Sequence, residues 1–121
     1  LAFVMSHEAA HHIAGHIGRT QRDAVAGAVL VGVLATLAGA SADSLDSAMD
    51  LGATVGARTY SKDYEIEADR LGTVIAHKAG YDPVRGAEYF RRIPDPGNAF
   101  LGTHPPNALR IDVVRETAAG L

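Results

Sequence analysis

A mainly α fold of about six helices is the class this sequence predicts, and three observations predict it. Apolar residues recur at helical spacing along most of the 121 residues. No convincing run of alternating β-branched residues marks a strand. The breaks between periodic stretches fall at helix-terminating or turn residues, among them Gly80 and the run Pro94-Asp95-Pro96-Gly97-Asn98.

Taken in order, residues 1 to about 18 form the first helical pattern, with Gly15 and Gly18 weakening its end. A second stretch, Ala24 to Ala42, holds no charged residue and lies between Asp23 and Asp43. Its 19 residues at ~1.5 Å each would just cross a hydrocarbon core of ~30 Å. Gly27, Gly32, Gly39, Thr36 and Ser41 lower its transfer free energy, and no flanking aromatic or basic cluster anchors it. The expectation is therefore a buried or partner-facing helix, with membrane contact as the alternative. Ser41, Asp43 and Ser44 are capping types for a third helix running to about Arg58. Ser61 or Asp63 opens a fourth, Tyr64 to about Lys78, closed by Gly80. Asp82-Pro83 starts a fifth, expected to reach Ile93. After the proline-rich turn, Thr103-His104-Pro105-Pro106 leads into a last helix ending near Ala119.

Composition excludes several function classes. Eleven Lys and Arg against 14 Asp and Glu give a formal net charge of −3, without the basic excess that nucleic-acid binding requires. The absence of cysteine removes disulfides, thiolate metal sites and cysteine nucleophiles together. Aromatics are 6% and Trp is absent, so the core must be built from aliphatic residues. No repeat or linker appears, and residues 1–121 read as one domain.

The strongest chemical signal is His7-Glu8-Ala9-Ala10-His11, an H-E-x-x-H on a predicted helix. Residues four apart share a helix face, so both imidazoles can address one ion. Zn²⁺ suits neutral imidazole nitrogen, and two ligands from one turn reduce the entropy cost of assembling a site. Glu8, one residue after His7, occupies the position of a general base on zinc-bound water. A third protein ligand is needed. The candidate lies in Asp63-Tyr64-Glu65-Ile66-Glu67-Ala68-Asp69, where Glu65 and Asp69 share a face and Glu67 points elsewhere. Glu65 could complete a His₂Glu set, and Asp69 could accept a bond from the distal nitrogen of a ligand imidazole. An ordinary solvated acidic helix start is the competing reading of this segment. At ~100° per residue, His12 and His16 point away from the His7/His11 face and are assigned structural or surface roles. His77 is assigned no chemistry; packing is expected of Tyr81 and Tyr89.

These segments together resemble the M48 metallopeptidases of the gluzincin clan. The likeness runs through LAFVMSHEAAHHIAGH (residues 1–16) and YSKDYEIEADRLG (60–72). It continues through Ala79-Gly80-Tyr81-Asp82-Pro83 and Thr103-His104-Pro105-Pro106 with Arg110-Ile111. Ser6 stands where members usually have Gly. The resemblance implies a zinc-dependent metalloendopeptidase hydrolase with one Zn²⁺ per chain, held by His7, His11 and Glu65, and a polypeptide substrate. It also implies Asp69 as the aspartate of the family's E-x-x-A-D element, whose glutamate is Glu65, His104 as a fourth, regulatory metal ligand, and Arg110 as a stabiliser of the oxyanion. The T-H-P-P block is most like the periplasmic and soluble branch, which implies the cell envelope or a membrane-associated location and a role in envelope protein quality control. Gluzincins carry a β-sheet before the active-site helix that aligns substrate, and only six residues precede His7. The chain is therefore expected to be the helical portion of the domain, beginning within the active-site helix, with an upstream segment supplying the sheet.

Three other readings stand beside this one. The first is a latched or inactive scaffold with chaperone-like function, closed by His104. The second is a membrane-embedded M48 protease using Ala24–Ala42. The third is a non-enzymatic helical interaction module.

Overall fold

The computed structural model describes residues 1–121 and contains six α-helical segments, one 3-10 turn and no strand. In order these are α1 (Ala2–Ile13), α2 (His16–Leu37), α3 (Ala42–Thr59), α4 (Ser61–Lys78), α5 (Pro83–Ala87), the 3-10 turn Glu88–Arg92, and α6 (Asn107–Ala119). The mainly α class stands. Several boundaries differ from expectation: α4 begins at Ser61 itself, so Ser61 and Asp63 lie inside it rather than capping a helix that starts at Tyr64, and α2 ends at Leu37 rather than near Ala42. The first pattern does not run on to residue 18 but stops at Ile13, and α2 begins at His16. Gly15 between them has φ +67°, a left-handed conformation open to glycine at no steric cost. The fifth helix stops at Ala87 rather than Ile93, and its continuation tightens into 3-10 geometry.

The chain forms two compact units, residues 1–16 with 62–121, and residues 17–61. In the first unit a small core gathers Phe3, Ala87, Phe90, Ile111 and Val114, so two phenyl rings stand where the composition led to an aliphatic core. Phe3 and Phe90 meet edge to face at 6.0 Å, the arrangement that ring quadrupoles favour. Asp82 caps α5 by accepting from the Arg85 backbone N–H at 3.0 Å, as the Asp-Pro signature predicts. Asn107 opens α6 and donates to the carbonyls of Ile93 and Pro94, tying that helix to the turn before it. Helices α1 and α4 cross closely at Gly72. A Cβ there would stand 2.9 Å from His7 Cα and 3.2 Å from the Ser6 carbonyl carbon. The buried Ser6 fits this crossing.

The second unit is an antiparallel hairpin of α2 and α3, turned through Ala38–Ser41 and capped by the Ser41 hydroxyl. Gly27 and Gly52 bring the two backbones together, since a Cβ on Gly27 would lie 2.1 Å from the Gly52 carbonyl oxygen. By length and composition α2 is able to cross a membrane. Of the expected alternatives, burial within this chain is the one it does not meet, since Val25, Val29, Leu30, Val33, Leu34 and Leu37 are all more than half exposed, as a partner-facing or membrane-contacting helix would be. The reason is that α3 covers only the glycine-lined stripe of α2.

Candidate metal centre

Helix α1 carries His7 and His11 one turn apart, and α4 carries Glu65 and Asp69 one turn apart. The glycine crossing brings these two faces together. Nε2 of His7 and Nε2 of His11 stand 3.0 Å apart. Glu65 Oε1 lies 3.2 Å from His11 Nε2, and Glu65 Oε2 lies 3.5 Å from His7 Nε2. The three ligand atoms fall within 4.8 Å of one another.

This donor set fits a zinc ion. Bonds of ~2.0–2.1 Å in tetrahedral array separate neighbouring ligand atoms by roughly 3.3 Å; the two imidazole nitrogens are 3.0 Å apart, and one Glu65 oxygen reaches each of them, at 3.2 Å for His11 and 3.5 Å for His7. Glu65 Oε2 is also a buried oxygen that accepts no well-aligned hydrogen bond. Native proteins seldom leave such an atom unsatisfied.

Around the cluster, Asp69 is fully buried, and His7 Nδ1 lies 2.9 Å from its Oδ1. Arg110 reaches in from α6 and donates to both Asp69 oxygens, Nε to Oδ2 at 2.7 Å and Nη2 to Oδ1 at 2.8 Å. The same Nη2 is 3.3 Å from Glu65 Oε2, and the guanidinium lies 4.0 Å from the centre of the Phe90 ring. His104, half exposed in the segment before α6, places Nδ1 3.1 Å from Glu65 Oε2. Glu8 is exposed on the outer face of α1 and borders a cleft of about 330 Å³ that also reaches His7, His11, Glu65, His104 and Arg110.

The electrostatics follow from this crowding. Burial pulls the His7 pKa down, but hydrogen bonds to Asp69 and Glu65 and the Asp69 charge outweigh it and raise the value to about 9. For His11 burial prevails over the Glu65 charge and, with the His7 and His16 rings, lowers the pKa. Burial alone would raise Glu65, yet His7, the Arg110 charge and His104 bring it down to about 2. The metal-free cluster is thus an ion-paired network with an ionised carboxylate at its centre.

The structure brings every sequence-selected residue to one end of the first unit: His7, Glu8, His11, Glu65, Asp69, His104 and Arg110. It adds two that the sequence reading set aside. His16 is buried and turned toward the His11 ring rather than away from it, with Nδ1 2.7 Å from His11 Nδ1 and Nε2 3.2 Å from Glu67 Oε2. Helical phase carried unbroken through residue 16 points His16 away from the metal face. The break at Gly15 resets that phase and returns the ring to His11. Tyr89, expected to pack, is half exposed and borders the cleft.

Residues 1–118 match the model of peptidase family M48. The chain belongs to this family. Among relatives, a Vibrio cholerae protein provisionally named a beta-barrel assembly-enhancing protease is 33% identical over 134 positions, covering 98% of this chain and 27% of that protein. The beta-barrel assembly-enhancing protease of Escherichia coli K12 is 29% identical over 116 positions, covering 90% of this chain and 23% of that one. The Shigella flexneri protein of the same name matches to the same extent. The chain thus spans about a quarter of the length of these M48 relatives. No solved structure matches it.

Proposed function

We propose that this chain carries the metal centre and the general base of a zinc metalloendopeptidase, the helical portion of an M48 catalytic domain acting on polypeptide substrates. The observation that carries the proposal is the convergence of two imidazoles and a carboxylate from α1 and α4, with Glu8 at the edge of the adjoining cleft. His7, His11 and Glu65 would hold one Zn²⁺. When bound, zinc supplies Lewis-acid polarisation of the scissile carbonyl and acidifies the attacking water.

Glu8 would serve as the general base, taking a proton from the attacking water and passing it to the leaving amine, a role suited to an exposed carboxylate next to His7 at the edge of the cleft. Asp69 accepts from His7 Nδ1–H and so orients the ring with Nε2 toward Glu65. Arg110 neutralises Asp69 and brings positive charge to the cleft, where it favours an oxyanion. The names of the relatives support an envelope role connected with β-barrel assembly, and the exposed apolar face of α2 supports contact with a partner helix or a membrane surface.

The test is zinc content by elemental analysis beside cleavage of an unstructured quenched-fluorescence peptide. Glu8→Gln should keep one zinc per chain and lose cleavage by a factor of about 10²–10⁴, the usual worth of a positioned base. A Gln variant cleaving at the parent's rate would refute the assignment.

One observation favours a second reading, a latched centre: His104 Nδ1 stands against the ligand carboxylate. The preceding loop is fastened by Lys62, whose Nζ donates to Asn98 Oδ1 and the Ala99 carbonyl. Under that reading His104→Ala raises peptide cleavage while zinc content stays the same. Under the open reading it leaves cleavage unchanged or lowers it.

A further inference from the structure

The second unit leaves an apolar helix face uncovered. Val25, Val29, Leu30, Val33 and Leu37 are each more than half exposed, and at ~100° per residue they occupy the half of α2 turned away from α3. They leave on the order of 500 Å² of apolar surface in water, at the upper end of what a monomer keeps in one patch. A groove of about 350 Å³ runs along one edge of this face, walled by Val29, Val33 and Leu37 of α2 and by Leu45 and Met49 of α3.

The two ends of the face carry opposite charge. Arg22 is exposed and borders the same surface as Val25, Val29 and Val33. Asp46 and Asp50, one residue after the groove's Leu45 and Met49, are exposed on the flank of α3 beside the groove, and Asp43 is exposed in the first turn of that helix. No ion pair within the chain engages Arg22 or these three aspartates. Gly27 meets Gly52 and Gly32 meets Met49, so Asp43 and Asp46 stand level with the Val33–Leu37 end of α2. The groove therefore calls for an apolar helix whose basic end comes to rest beside Asp43 and Asp46. Helix α2 meets that description itself. In an antiparallel pair centred between Val29 and Leu30, Arg22 of one copy stands level with Leu37 of the other, about 11 Å from the two-fold axis. Symmetry repeats the contact at the other end. Two αα-hairpins joined in this way bury their apolar faces as a four-helix bundle. The same aspartates oppose an anionic lipid surface, and no aromatic or basic belt anchors the run in a bilayer.

We propose that this face is an interface between two copies of the chain, in which α2 packs antiparallel on α2 of the second copy and Arg22 of each pairs with Asp43 and Asp46 of the other. Apolar contact supplies the association, and the charged ends set its direction. A parallel pair would instead bring Arg22 against Arg22. The proposal is independent of the zinc reading, since every residue it uses lies in the second unit.

Sedimentation equilibrium of the intact chain tests it, with flotation on phosphatidylcholine vesicles beside it. The parent should form a dimer in the micromolar range. Val29→Glu and Val33→Glu change side chains that are already more than half exposed, so the chain's own fold does not depend on them. Each sets two carboxylates in the apolar centre of the pair and should weaken association at least about 100-fold. Charge reversal then reads the orientation. Arg22→Glu in one chain, and Asp43→Arg with Asp46→Arg in another, should each weaken self-association about tenfold, because like charges meet at both ends. Mixed in equal amounts, these two chains should recover the parent's affinity as a heterodimer, since both ends again pair opposite charges. Should the glutamate variants lose helix by circular dichroism, the charge-reversed chains decide alone. A parent that stays monomeric at ~1 mM overturns the proposal; flotation of that monomer assigns the face to lipid, and its absence assigns the face to a different protein. A dimer that survives both glutamate variants lies on another surface and overturns it as well. Failure of the charge-reversed chains to recover on mixing overturns the antiparallel pairing, and with it the proposal.

Discussion

Substituting Gly72 by alanine tests whether the α1–α4 crossing sets the geometry of the metal centre. The added Cβ would stand 2.9 Å from His7 Cα, 3.0 Å from His7 N and 3.2 Å from the Ser6 carbonyl carbon. Carbon atoms rest at ~3.5–4.0 Å, so relief demands a separation of the helices by about 0.6 Å or more at this point. The obstructing atoms are backbone, and no side chain can swing aside. Overpacking of this kind costs about 1–3 kcal/mol, against a gain of roughly 1 kcal/mol from alanine's better helix propensity. The net loss of about 0–2 kcal/mol lowers the melting temperature by up to ~10 °C for a chain of this size. The site is affected more. Carrying α1 away by about 0.6 Å would open the 3.2 and 3.5 Å gaps between the imidazoles and Glu65 to roughly 3.8 and 4.1 Å, past a tetrahedral edge of ~3.3 Å. Zinc affinity should then fall at least about tenfold, since ligands must be held within ~0.5 Å of their working geometry. Gly18→Ala serves as the control, because a Cβ there meets nothing within 4 Å and the residue lies inside α2. It should raise stability by up to ~1 kcal/mol and leave zinc binding alone. Thermal melts and chelator competition on the three chains decide the matter. If Gly72→Ala melts as high as Gly18→Ala and binds zinc like the parent, the crossing does not set the site.

Other expectations follow from the same cluster. His7 has its pKa raised to about 9 in the metal-free chain, so near neutrality a proton must leave it before Nε2 can ligate. Apparent zinc affinity should rise about tenfold per pH unit across neutral and mildly alkaline pH and level off near the His7 pKa, with one proton released per zinc; affinity independent of pH over that span would contradict the His7 assignment. Removing Arg110 leaves the wholly buried Asp69 carboxylate with His7 as its one remaining cationic neighbour in the cluster. Arg110→Met should cost about 3–5 kcal/mol in urea denaturation, whereas Arg110→Lys, lacking the forked geometry, recovers only part of it. A loss below ~1 kcal/mol would show that the pair is not the anchor of α6.

The helical class, the ends of α3 and α6 and the close of α4 were legible because their signals are local: apolar periodicity and the capping serine at Ser41. The same locality made His7 with His11, and Glu65 with Asp69, recognisable as pairs. The start of α2 was missed for a physical reason. Gly15 lies within an otherwise helical pattern, and a glycine there can lower helix stability or leave the helix altogether. Tertiary contact decides between these, and with it whether His16 faces out or in. The second unit shows a similar limit. An uncharged run reads as a helix that must be covered, but which of its faces is covered depends on where Gly27 and Gly52 let α3 approach.

By itself, then, the sequence determined most of the helices and the residue types on each face, because spacing of three to four residues fixes what one helix presents; its likeness to the model of peptidase family M48 placed it in that family. Only the tertiary structure decided that the faces of α1 and α4 meet at Gly72, that Arg110 reaches Asp69 from α6, and that His16 stands behind His11. Those contacts join residues far apart in the chain or lie across a break in helical phase. Backbone close approach and buried charge pairing determine them, and neither leaves a local pattern in the sequence.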